Sequence, residues 1–141
     1  MDNHIDIQIS PNELSVDGCY NYTLDNTCGG NNLFVGTVRN NNKGEDITHL
    51  EFESYVPMAI KVLKTIGQES IQKFNVQKVS IHHRIGRVDL KGIAVIISVS
   101  SKHRKEAFQA CEYIIDELKS RAPIWKKEFL KKGSYWVNAR P

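Results

Sequence analysis

The residues best suited to chemistry in this chain are cations. Ser101-Lys102-His103-Arg104-Lys105 puts up to four of them at the start of a helix expected over about residues 102–122. The helix macrodipole already makes that end positive, so each cation is disfavoured there by roughly 0.3–1 kcal/mol. A cluster that opposes the dipole calls for a compensating anion. Free backbone N–H groups together with Arg104 and His103 form a ready phosphate site. The plainer reading is a solvated turn that tolerates a small penalty.

Further along the same helix, Lys119 lies about 40° from Ile115 on a helical wheel, at the border of the apolar stripe. A lysine there either snorkels to solvent or is partly desolvated. Desolvation lowers its pKa and makes it a base, nucleophile or anion clamp. Lys126 follows after the break at Pro123, which turns the chain and so allows it to come back towards Lys119. Arg39 ends an apolar strand where a polar loop begins, a common position for site residues. His82-His83-Arg84 is a third cationic cluster; paired histidines can be catalytic, but His82 is expected to make structural hydrogen bonds. Lys, Arg and His together suit an anionic substrate, with lysine as the proton-transfer group. No nucleophile elbow, P-loop, dinucleotide-binding glycine pattern or HExxH motif is present.

The elements that must position these side chains follow from periodicity and punctuation. Ile5, Ile7 and Ile9 alternate as a half-buried strand, and a short helix or turn is expected around Ser15–Leu24. Asp25–Asn31 and Asn40–Asp46 read as loops. Strands are expected over Leu33–Val38, Ile47–Ser54, Val76–Arg84 and Ile93–Ser100, the last central in a sheet because it is nearly all apolar. Pro57 opens a helix that runs to about Phe74. The second helix carries the stripe Ala107, Phe108, Cys111, Ile114, Ile115 and Leu118. Trp125–Leu130 and Tyr135–Val137 are short strands around Lys132-Gly133. The element order indicates an α+β fold.

Composition narrows the class. With 141 residues and no linker or repeat, one domain over residues 1–141 is expected. There is no apolar run of about 18–20 residues and no apolar signal core, so a cytoplasmic protein without a membrane partner is expected. Cys19, Cys28 and Cys111 are odd in number and lack CxxC spacing, against a disulfide scaffold or zinc site; neither metal nor cofactor is expected. Charge divides sharply. Residues 1–70 carry four Lys/Arg against ten Asp/Glu, and residues 71–141 fifteen against six. Either the halves attract each other or the second half meets an anionic partner.

Several stretches occur in order: Phe34-Val35-Gly36-Thr37-Val38-Arg39-Asn40, His83-Arg84-Ile85-Gly86, Ser101-Lys102-His103-Arg104, Lys119-Ser120-Arg121-Ala122-Pro123-Ile124-Trp125-Lys126-Lys127-Glu128 and Trp136-Val137. Together they resemble the large, catalytic subunit of molybdopterin synthase over about residues 5–140.

The resemblance implies an α/β-hammerhead-like domain with additional antiparallel strands. It implies a homodimer of large subunits within a heterotetramer, each bound to a small ubiquitin-like sulfur-carrier subunit with a C-terminal Gly-Gly thiocarboxylate. The substrate would be cyclic pyranopterin monophosphate (precursor Z), a pterin phosphate, and the product the dithiolene of molybdopterin. By position, Lys119 and Lys126 would be catalytic, while Arg39, His103, Arg104 and Arg140 would bind substrate, Arg140 by reaching the neighbouring subunit's pocket. Two other classes compete: a small basic nucleic-acid-binding domain, in which Trp125, Tyr135 and Trp136 would stack on bases, and a non-catalytic adaptor for a ubiquitin-like partner. Against the first, no RNA-binding signature is present, so no nucleic-acid partner is expected.

Overall fold

The computed structural model describes residues 2–137. In chain order the elements are β1 (Ile5–Ser10), α1 (Val16–Thr23), β2 (Gly30–Thr37), β3 (Asn41–Asn42), β4 (Glu45–Ser54), α2 (Val56–Phe74), β5 (Lys78–Arg84), β6 (Gly86–Asp89), β7 (Ile93–Ser101), α3 (Arg104–Arg121), β8 (Ile124–Leu130) and β9 (Gly133–Val137). The fold is α+β, as expected. Four strands form a first sheet in the order β1-β5-β7-β2, in which only β1 and β5 run parallel. The second sheet is antiparallel: β8 and then β9 lie on one side of β4, with β6 and the short β3 on the other.

β7 is central, and Ala94 through Ser101 are all buried, which explains its unbroken apolar run. Side chains alternate across the first sheet. Val79, Ile81, Val95, Ile97 and Val99 join Leu63 and Ile66 of α2 and Ala110, Cys111 and Ile114 of α3 in the main core. Fully burying a side chain such as Ile97 or Leu63 contributes about 1.5–3 kcal/mol. Cys111 therefore packs as core, and its thiol is pushed up to about 12 by burial. The opposite face carries Ser80, His82 and Ser98. α1 meets them with Thr23, whose hydroxyl lies 2.6 Å from that of Ser98. Ser15 caps α1 by accepting the Gly18 N–H at 3.0 Å.

Four local expectations are corrected. Asn40–Asp46 is a tight hairpin rather than an open loop: Lys43 and Gly44 take φ of 53° and 85°, which matches a two-residue turn with both central residues left-handed. The loop after Asp25 ends at Gly29, because Gly30 already pairs with Ser101. A Cβ at Gly30 would lie 2.9 Å from the Arg104 backbone, so only glycine fits between β2 and the start of α3. α3 begins at Arg104, since His103 is extended and forms the N-cap. Phe108 is 54% exposed, and Ala110 takes its place in the buried stripe. β6 has no counterpart in the periodicity: four residues with one buried side chain are too short to register.

Candidate active site

Lys119 stands in the last turn of α3, where the C-terminal dipole favours a cation. Two residues later Arg121 is tied to Glu69 at 2.7 Å and to Glu117 at 2.9 Å, whereas Lys119 forms no salt bridge among the described residues. Ala122 then leaves the helix in extended conformation, and Pro123 redirects the chain into β8. The Pro123 carbonyl is fixed by the Tyr55 N–H at 3.2 Å and the Ser54 hydroxyl at 3.1 Å. Strand alternation puts Ile124, Lys126 and Glu128 on one face of β8. Glu128 is buried and accepts the Asn42 amide at 2.9 Å, so the hairpin at residues 41–46 braces the strand that carries Lys126.

Lys126 is half-buried, and its ammonium is held below the usual lysine range. Burial is the main cause, reinforced by repulsion from Lys119 and Arg39 and opposed by Glu128. Lys119, Lys126 and Arg39 thus converge, with Arg39 delivered two residues beyond the end of β2. Beneath them lies a cavity of about 260 Å³ where the two sheets meet the end of α3, walled by Phe34, Phe52, His83, Val95 and Ile115, with Lys119 and Lys126 among its lining.

His83 is buried and uncharged: burial pushes its ring down to about 4. Its Nδ1 donates to the Arg84 carbonyl at 2.8 Å, and Phe52 meets it edge-on at 5.0 Å. His82 points the other way and bonds Asp6 at 2.7 Å, the structural role expected of it.

His103 and Arg104 do not join this group within one chain. Fifteen residues of helix separate Arg104 from Lys119, about 22 Å along the axis. β2 runs the same course, from Gly30 against Arg104 to Thr37 on the cavity wall. Both cations are exposed, so the helix start and the lysine pocket are two separate places on the protomer. Arg140 lies outside the described residues. Glu128 and Asn42 escape a reading of single residues; the signal for Glu128 was its two-residue spacing from Lys126 on a strand.

The family model for MoaE protein matches residues 9–121. The chain belongs to the MoaE family. Among curated relatives, the human molybdopterin synthase catalytic subunit is 40% identical over 92% of this chain and 69% of its own length. That of Pyrococcus abyssi is 35% identical over 90% of this chain and 86% of its own. Molybdopterin synthase from Staphylococcus aureus superposes with a TM-score of 0.89 at 41% identity, covering 92% of this chain and 95% of that one. A chain in the Helicobacter pylori complex of subunits 1 and 2 of molybdopterin-converting factor shares the fold, with a TM-score of 0.70 at 21% identity over 96% of this chain and 91% of that one. As a MoaE-family catalytic subunit the protein is a sulfur-transferring enzyme of molybdenum cofactor biosynthesis; neither the nucleic-acid nor the adaptor reading is favoured. No helix among the described residues is long and apolar enough to cross a membrane.

Proposed function

We propose that the Lys119–Lys126 pocket is where sulfur passes from the C-terminal thiocarboxylate of a small ubiquitin-like carrier to cyclic pyranopterin monophosphate. The observation that carries this is the half-buried Lys126 beside Lys119 and Arg39 over a partly open cavity. The thiocarboxylate sulfur forms a bond to a side-chain carbon of the pterin as a C–O bond at that carbon breaks, the oxygen leaving on phosphate or as water. Water then cleaves the resulting carrier acyl–sulfur–pterin thioester. The lysine ammonium groups stabilise the oxyanion that develops on the acyl carbon. Partial burial holds the Lys126 ammonium below the usual lysine range, so it gives up a proton more readily than an exposed lysine would.

His103 and Arg104 bind the substrate phosphate at the start of α3, and they do so for the pocket of a second copy. A homodimer reconciles the separation of about 22 Å with a single bound substrate, because the partner's helix start can face this chain's lysines. Arg140 serves the neighbouring subunit in the same way. With thiocarboxylated carrier and precursor supplied, Lys119→Ala and Lys126→Ala are each expected to abolish most dithiolene formation; wild-type rates in both refute the lysine assignment. Arg104→Ala is expected to weaken precursor binding and spare carrier binding, and equal weakening of both refutes the division of labour.

A further inference from the structure

While Lys119 and Lys126 hold the oxyanion as ammonium groups, neither can accept the proton of the water that cleaves the thioester. Three titratable residues line the cavity among those described: Lys119, Lys126 and His83. His83 is uncharged at neutral pH, its ring held at about 4 by burial, so it starts with a free lone pair. Which nitrogen carries that pair is fixed. The Arg84 carbonyl can only accept, so Nδ1 is the protonated nitrogen of the 2.8 Å bond. The lone pair therefore sits on Nε2. No described residue is hydrogen-bonded to Nε2, and His83 is part of the cavity wall, so Nε2 is the ring nitrogen left to face the cavity.

Sheet geometry aims it there. His83 pairs with Val95, and Val95 with Gly36, so all three share the face towards α3, and all three line the cavity. Phe52, edge-on at 5.0 Å, holds the ring from the second sheet. A histidine oriented by one nitrogen with the other facing reacting atoms is the arrangement that general-base catalysis needs.

We propose that His83 is the general base that releases the carrier. This rests on the sulfur-transfer reading above. Water attacks the acyl carbon of the carrier–sulfur–pterin thioester while Nε2 takes its proton. A C–O bond forms, the C–S bond breaks, and the carrier leaves as the free acid. The pterin thiolate takes the proton back from the imidazolium, which restores the neutral ring. The lysines hold the tetrahedral oxyanion throughout.

A single turnover with thiocarboxylated carrier and precursor, quenched and read by intact mass, tests this. Wild-type protein is expected to give free carrier acid. His83→Gln is expected to accumulate the carrier–pterin adduct, with release slowed about 10²–10⁴-fold. Neutral hydroxylamine, which cleaves thioesters without a base, is expected to free the carrier from that adduct as its hydroxamate. His83→Leu, similar in bulk and without a base, is expected to do the same, and it substitutes if the Gln variant does not fold. Wild-type release from either folded variant overturns the assignment. So does loss of sulfur transfer with no adduct, which marks His83 as structural. Failure of wild-type protein to make dithiolene strikes the parent reading instead, and is told apart by that control.

Discussion

His82 and His83 are neighbours on β5, face opposite sides of the first sheet, and hold opposite charge states. Burial pulls both down. At His82 the bonds to Asp6 and the adjoining Cys19 outweigh it, and the ring rises to about 9. At His83 burial meets only the Arg84 carbonyl, and the ring falls to about 4. The face under α1 thus holds a charged pair and the face under α3 a neutral ring in an apolar wall. Burial fixes a charge state only when no counter-charge is built in beside it. Lys126 lies between these extremes, since burial lowers it and Glu128 partly restores it.

The largest effect that would break this comparison is expected at Asp6→Asn. It strips the 2.7 Å partner from His82 and is expected to cost about 1–3 kcal/mol, discounted because Asp6 is partly exposed. Denaturant unfolding measures it, and an NMR titration is expected to show His82 falling well below 9. The two rings also give stability opposite pH slopes. His82 is raised above its ordinary 6.5, so its contribution is complete below 6.5 and is lost as pH rises towards 9. His83 is depressed, so the unfolded chain binds its proton first and stability is lost as pH falls from 6.5 towards 4. His83→Leu is expected to flatten the acid limb alone and to cost about 1 kcal/mol at neutral pH for the lost hydrogen bond. An unchanged acid limb refutes the neutral ring. Glu128→Gln is expected to push Lys126 further down, read by NMR of its side-chain carbon next to the ammonium; a rise contradicts the balance described. The smallest effect is expected at Phe108→Ala, within about 0.5 kcal/mol in denaturant unfolding, since that ring is 54% exposed.

Local order was plain in the sequence. The alternation of Ile5, Ile7 and Ile9, the apolar run of β7 and the prolines at 57 and 123 mark elements that exist within a residue or two. Such signals are local, and so is the physics behind them. The hairpin at Lys43-Gly44 was hidden because its short, polar strands carry no apolar period. Phe108 misled because a helical wheel counts apolar residues without knowing where a sheet ends, and β2 is the edge strand. Of the candidate site, the convergence of Lys119, Lys126 and Arg39 follows from pairing across two sheets, which no short window contains. The distance from Arg104 to Lys119 is different: it is written in the helix length itself.

That distance makes a second copy necessary if both ends of α3 serve one substrate, and mixing two defective chains tests it directly. Lys119→Ala spoils the pocket of its own chain, while Arg104→Ala spoils the phosphate contact it lends to its partner. At limiting precursor, each homodimer is expected to retain little activity. Random mixed dimers retain one intact site in half the population, so co-refolded chains are expected to recover about a quarter of wild-type dithiolene formation. No recovery, with mixed dimers verified by mass, contradicts a site shared between two copies.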